Sequence, residues 1–345
     1  MPTRASNGNY SQSVVVARVG MNADRSATAH AHAYASGADF FEAALVGACM
    51  SMAPIVCARS HDEMAGLEYR SEANSMSNPA LSPGVFLTAR WRHLAMLSFP
   101  IDPSILEPYL PPQLELDYWQ GKSYISLVGF VFLEARLFGV PIPFHQSFPE
   151  VNLRFYVNRR NGRAARRGVI FIREIAPRRC VGVVARRIYN ESYLTLPVRN
   201  SIEIASAAGE SSAFDYSWRF QRRWNHLRVE TVEAPQPALA GSLDEFIVDH
   251  YWAYTRQRDG GCREYRVDHR AWQIRRASEI ELNCDARGLY GAALGKALVG
   301  SPESAFVADG STVAVHRGVK VDGRAPVAEF ARIPACTPIH GRGKS

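Results

Sequence analysis

At 345 residues, with 47% hydrophobic and 21% charged residues, the chain is long enough for one large domain or two ordinary ones around a real core. Its net charge is +7, carried almost wholly by arginine, because lysine occurs only at Lys122, Lys296, Lys320 and Lys344. The nearest approach to a membrane span, Phe40 to Ala58, carries Glu42 and Pro54 and starts too far from Met1 for a secretory signal. A cytoplasmic protein with no membrane association is therefore expected.

In chain order, residues 1–84 are rich in Ala, Ser, Asn and Met and sustain no periodicity, so they read as a disordered extension or an overlong gene start. Residues 85–335 read as a single domain and 336–345 as a flexible tail. "FLTARWRHLAMLSFPID" predicts a first strand. Asp102 followed by Pro103 predicts an N-cap and a short helix ending at Pro111-Pro112. "LELDYW-QG-KSYISLVGFVF" predicts a hairpin turning at Gln120-Gly121.

The clearest strand is "EVNLRFYVN", Glu150 to Asn158. Period-two alternation puts Val151, Leu153, Phe155 and Val157 on one face, and Glu150, Asn152, Arg154, Tyr156 and Asn158 on the other. Asn161-Gly162 predicts a tight turn into a return strand, "GVIFIREI". "RRCVGVVARRIY" fits a helix that ends at the Asn190 kink. "YLTLPVRNSIEIAS", "FDYSWRFQ" and "HLRVETV" predict three more strands. Ser242 and Glu245 form a capping box that opens a helix over "GSLDEFIVDHYWAYTR". "REYRVDHRAWQIRRASEIEL" predicts a strand pair. Hairpin-linked strands with few helices imply an α+β protein, mainly antiparallel β, built as a barrel or strongly curved sheet.

Several chemistries find no support. The six cysteines (Cys49, Cys57, Cys180, Cys262, Cys284 and Cys336) form no C-x-x-C pair, which predicts reduced thiols and no zinc site. No P-loop, dinucleotide fingerprint, H-E-x-x-H or G-x-S-x-G occurs, so neither a metal nor a cofactor is expected. His93, His145, His250 and His269 read as isolated structural or surface histidines. The segment Arg159 to Arg187 holds ten arginines against one acid, Glu174, which would suit phosphate contacts but comes with no recognition motif. The alternating row from Glu150 to Tyr156 has two readings: a half-exposed strand, or the lining of a pocket in which Glu150 and Arg154 orient each other or a bound carboxylate.

Taken in order, "RWRHLAMLSFPIDPSILEPYLPPQLELDYWQGKSYISLVGF", "FPEVNLRFYV", "SLDEFIVDHYWAYTR" and "VDHRAWQI" resemble the YqjF-like proteins, domain-of-unknown-function family 2071, over residues 86–335. That resemblance implies the cone-like antiparallel β-barrel of acetoacetate decarboxylase. In those decarboxylases a pocket-lining strand, E-V-V-V-A-I-P-V, begins with a glutamate whose place is taken here by Glu150. Their segment G-R-E-V-W-G-F-P-K-K carries the lysine that forms an imine with the ketoacid. Its counterpart is "ARRIYNESYL": Arg186 falls on the arginine, Tyr189 on the tryptophan, Ser192 on the proline and Tyr193-Leu194 on the lysine pair. Tyrosine and leucine cannot form an imine.

The resemblance thus implies the fold and its pocket without the Schiff-base reaction. The expected ligand is a small organic acid or carbonyl compound. Glu150 is the candidate general acid or base and Tyr193 the candidate donor to a developing oxyanion. Asn152, Arg154, Tyr156 and Arg186 are the candidate ligand-binding residues. A non-catalytic ligand-binding or sensing member of the fold is the first alternative, and an arginine-rich nucleic-acid binder the second.

Overall fold

The computed structural model of the protein describes residues 84–141, 146–161, 164–177, 193–207 and 209–322. The chain enters as one seventeen-residue strand, β1 (Val85–Ile101). Asp102 ends it: its side chain accepts from the Ser104 N–H at 2.9 Å, and Pro103 opens α1 (Pro103–Leu106). Next come β2 (Glu115–Leu116), β3 (Ser123–Leu137), β4 (Val140–Pro141), β5 (Phe148–Asn161) and β6 (Ala164–Ala176). The expected first hairpin forms only at its tip, where Trp119 and Lys122 bond to each other across Gln120 (φ 47°) and Gly121 (φ 78°). Its first arm instead turns to β5, with Glu115 opposite Asn158 and Leu116 opposite Val157.

"YLTLPVRNSIEIAS" is two strands, because Leu196-Pro197 interrupts it: β7 (Tyr193–Thr195) and β8 (Val198–Glu203). β9 (Ser212–Phe220), β10 (Arg223–Thr231) and β11 (Gln236–Pro237) follow. Ser242 caps α2 (Leu243–Val248), accepting from the Glu245 N–H, while the Glu245 carboxylate reaches back to the Gly241 N–H at 2.7 Å. The long helix expected here stops after six residues, and β12 (Trp252–Arg256) begins. Trp252, Ala253 and Tyr254 pair in parallel with Gly168, Val169 and Ile170 of β6, so the sheet's demand for a partner strand overrides the local helical pattern. The expected strand pair beyond it is three strands: β13 (Cys262–His269), β14 (Gln273–Arg276) and β15 (Glu279–Asn283). Two short helices, α3 (Ala286–Tyr290) and α4 (Ala292–Ala297), precede β16 (Ser304–His316) and β17 (Val319–Val321).

The architecture is mainly antiparallel β with a few short helices. Seven strands close on themselves in the order β16, β1, β3, β5, β6, β12, β13 and back to β16. Only the β6–β12 joint in this ring is parallel. A four-stranded sheet, β15-β10-β9-β8, packs outside. Its Tyr216 ring lies over Gly129 of β3, where an added Cβ would come within 2.6 Å of it, and the Tyr216 hydroxyl donates to the His93 carbonyl at 2.6 Å.

Two apolar cores result. The outer one packs Val151, Leu153 and Phe155 against Tyr216, Trp218 and Leu227 of the second sheet and against Leu289 and Leu294 of α3 and α4. The inner one draws apolar side chains from all seven ring strands, as the inside of a ring must, and α2 adds Leu243, Phe246 and Ile247. Among the described residues no helix is long and apolar enough to cross a membrane.

The parallel joint is tight. A Cβ on Gly168 would lie 2.6 Å from the Trp252 carbonyl oxygen, a backbone atom that cannot swing away. Gly168→Ala is therefore expected to destabilise the fold by about 1–3 kcal/mol in urea titrations, the usual range for overpacking. An unchanged midpoint would show that the joint is looser than described.

Candidate functional site

Closure of the ring gives β5 two buried faces. Val151, Leu153, Phe155 and Val157 belong to the outer core. The opposite row is just as enclosed: Glu150 is 3% exposed, Asn152 4%, Arg154 8% and Tyr156 1%. These polar groups therefore do not form a solvated face. They line the inside of the ring beside Met96, Val128, Phe130 and Ile247. A carboxylate, an amide and a guanidinium have been carried into an apolar interior, where each needs partners.

Glu150 has one in Tyr193, the first residue of β7, whose hydroxyl donates to Glu150 Oε2 at 2.7 Å. Parallel pairing with β6 holds Tyr193 there, in register with Glu174. Arg154 is served differently. One Nη2 points at the Ile247 carbonyl (3.3 Å) and at the Met96 sulfur (3.7 Å), and the guanidinium lies 5.6 Å from the Tyr156 ring centre. Arg154 Nε has no hydrogen-bond acceptor, and no carboxylate among the described residues forms an ion pair with it. Asn152 Oδ1, buried between the two, also has no donor. Tyr156 ends a hydroxyl chain, bonded to Ser126 Oγ, which bonds in turn to Ser98 Oγ at 2.7 Å. Glu150, Asn152, Arg154, Tyr156 and Tyr193 are thus brought to one interior. Arg186 and the helix expected over "RRCVGVVARRIY" lie outside the described residues.

The structure adds groups that the residue pattern conceals. Glu174 is buried in the same interior, opposite Asn152 on one side and Tyr193 on the other. Strict alternation along "GVIFIREI" would turn Arg173 inward and Glu174 outward. A bulge reverses this: Leu153 pairs with Arg173 but Arg154 pairs with Phe171, so Ile172 is the extra residue and the strand is re-phased. Ile172 and Ile175 then join the outer core, and Arg173 acts electrostatically on the outer-core residue Tyr290.

His250, between α2 and β12, is also inside, with ring centres 4.8 Å from Tyr156 and 5.4 Å from Phe246. Its Nε2 lies 3.5 Å from Asp117 Oδ2, too long for a sound hydrogen bond, and neither ring nitrogen has a close partner. Burial pushes the imidazole down to about 4, with Arg167 and Arg154 adding to the effect and Asp117 opposing it.

Three lysines are described, and all are exposed: Lys122, Lys296 and Lys320. Lys122 precedes β3 and pairs with Glu303 at 2.8 Å, at the surface. Four arginines of the basic segment face acids from elsewhere in the chain. Arg159 and Arg166 share the buried Glu264, Arg160 meets Glu115, and Arg167 meets Asp117.

Comparison with known proteins shows what the chain is similar to. The model of DUF2071, described as an uncharacterized conserved protein, matches residues 88–312. Uncharacterized protein YqjF of Bacillus subtilis (strain 168) is 27% identical over 230 residues, covering 64% of this chain and 89% of the relative. Among solved structures, the chain is similar to acetoacetate decarboxylase from Legionella pneumophila subsp. pneumophila str. Philadelphia 1, at 12% identity and TM-score 0.49, covering 77% of this chain and 98% of that one. It is also similar to an acetoacetate decarboxylase-like enzyme from Sphingomonas wittichii RW1, at 12% identity and TM-score 0.48, covering 69% and 93%.

A histidine held neutral in the interior has a signature in stability. Below about pH 6.5 the unfolded chain takes up a proton that the fold refuses down to about 4. Stability should therefore fall as pH falls through that window, by up to about 1.4 kcal/mol per pH unit for one such group. His250→Phe removes the group and keeps an aromatic ring. Between pH 7 and pH 5 the unfolding free energy of the variant should gain on that of the wild type, and a constant difference would contradict a neutral His250.

Proposed function

Since the chain belongs to the DUF2071 family of uncharacterized conserved proteins, we propose its function from the site it carries. The ring encloses a binding site for a small organic acid or carbonyl compound, and Glu150 exchanges a proton with that ligand without an imine. Arg154 is the observation that carries this reading. A guanidinium that is 8% exposed, with an idle Nε and no carboxylate of its own among the described residues, is an expensive group to keep inside a protein. A ligand carboxylate would repay that cost with paired charge-assisted hydrogen bonds. Asn152 Oδ1, the next idle atom on the row, would accept from the hydroxyl that the ligand gains on enolisation.

Glu150 completes the arrangement. A general base must sit within hydrogen-bond reach of the proton it takes and must be held still. The Tyr193 hydroxyl holds it, since its single proton is directed at Glu150. The chemistry that suits these groups is proton removal beside a carbonyl, or addition of water to such a compound. Imine chemistry has no support from the described lysines: Lys122 is committed to Glu303 at the surface, and Lys296 and Lys320 are exposed. The acid partners of Arg159, Arg160, Arg166 and Arg167 favour a ligand in the interior over a nucleic acid on the basic segment. This reading places the protein in the cytoplasm, where Cys262 and Cys284 would persist as the free thiols they are.

Arg154→Met tests the assignment. Without ligand the variant should be as stable as the wild type or more so, because it removes an uncompensated buried charge at similar volume. With 2-oxobutyrate, the wild type should gain about 2.7 kcal/mol at a hundred times the dissociation constant, and Arg154→Met should gain nothing. Glu150→Gln should keep the ligand-induced gain and lose turnover. A binding-only protein would show the gain in both forms with no turnover in either. A variant that is strongly destabilised without ligand would mean that Arg154 is structural.

A further inference from the structure

We propose that Glu174 is the second acid–base group of this site, and that together with Glu150 it moves a proton between carbon and oxygen of a 2-oxo acid. The proposal rests on the pocket reading above and deepens it. The bulge at Ile172 is the first ground. By re-phasing the end of β6 it turns Glu174 into the interior and sends Arg173 out, and bulges of this kind re-aim side chains beside functional sites. The second ground is position. Glu174 stands directly opposite Asn152 and is therefore the diagonal neighbour of Glu150, about 7–8 Å away along the backbone, within reach of two glutamate side chains. Tyr193 is bonded to Glu150 and stands beside Glu174 in the parallel register. The third ground points to a ligand: Asn152 Oδ1 and Arg154 Nε are both buried without a partner on the strand that faces Glu174. Strand pairing places two titratable groups near Glu174: Glu150, its diagonal neighbour on β5, and Tyr193, its partner on β7.

The step balances as follows. The ligand carboxylate lies on Arg154. The Glu150 carboxylate takes a proton from C3, and that C–H electron pair becomes the C2–C3 double bond. The C2 carbonyl electrons move to oxygen, which takes a proton from the Glu174 carboxyl, and the enol hydroxyl donates to Asn152 Oδ1. Glu150 is left protonated and Glu174 ionised, and Tyr193 passes the proton back from the first to the second. No oxidant or co-reactant enters.

The test uses 2-oxobutyrate in deuterated water with the full chain. Proton NMR follows loss of the C3–H signal, and thermal denaturation follows binding. Wild type should bind and exchange, with a bell-shaped dependence of rate on pH. Glu150→Gln should abolish exchange. Glu174→Gln should still bind, should exchange at least a hundredfold more slowly, and should lose the alkaline limb of the bell, because that limb reports ionisation of the acid. Glu174→Asp should recover part of the rate. Exchange in Glu174→Gln at the wild-type rate, or a bell that keeps both limbs, overturns the role of Glu174 and leaves the pocket reading standing. Wild type that binds without exchanging also overturns it. Wild type that does not bind 2-oxobutyrate removes the pocket reading itself for this ligand class, and this proposal with it.

Discussion

Three backbone pairs between β13 and β16, Val267 with Val315, Asp268 with Ala314 and His269 with Val313, turn a long sheet into a ring. Without them β5 would have a core on one side and water on the other, and its alternating polar row would be an ordinary solvated face. With them that row has nowhere to go but inside. Both the burial of Glu150, Asn152 and Arg154 and the low protonation tendency of His250 follow from this closure. The second sheet matters for the same reason. By covering the outer face through Tyr216 and Trp218, it lets β5 present an unbroken apolar stripe outward while its polar groups face in.

An interior of this kind is costly to fold. A buried charge left without a partner costs several kcal/mol, and an unmatched buried amide oxygen about 1–3 kcal/mol. Two other buried charges among the described residues show how the fold can meet that cost: Glu264 has two arginines, and Asp244 holds Arg276 and Ser304. Arg154 has a backbone carbonyl, a thioether and an aromatic ring. The proposed ligand role of Arg154 rests on this contrast within one molecule.

Much of this was legible in the residues. Alternation along "EVNLRFYV" predicted the two faces of β5, Asp102-Pro103 predicted the first helix, and Ser242 predicted the start of the second. The same alternation could not say whether the polar face met water or an enclosed space, because closure is set by the pairing of β13 and β16, nearly fifty residues apart in the chain at Val267 and Val315. The helix expected through Arg256 was lost to β12 for a related reason, since a strand needed by the ring outranks local propensity. Glu174 was hidden most thoroughly. Strict alternation turns it outward, and only a one-residue bulge, invisible in composition or period, brings it in. His250 looked isolated because its neighbours Asp117 and Tyr156 lie far away in sequence.

Whether the ring is a container for carboxylates comes down to one N–H group. Arg154 Nε–H is buried without an acceptor, so its proton NMR signal should be sheltered from exchange and should stand apart from those of the exposed arginines. On titration with 2-oxobutyrate it should move downfield and saturate as the carboxylate takes the idle hydrogen bond. A resonance that stays fixed at saturating acid, or one that exchanges as fast as a surface arginine, would show that the guanidinium meets no ligand and that the interior row serves the fold alone.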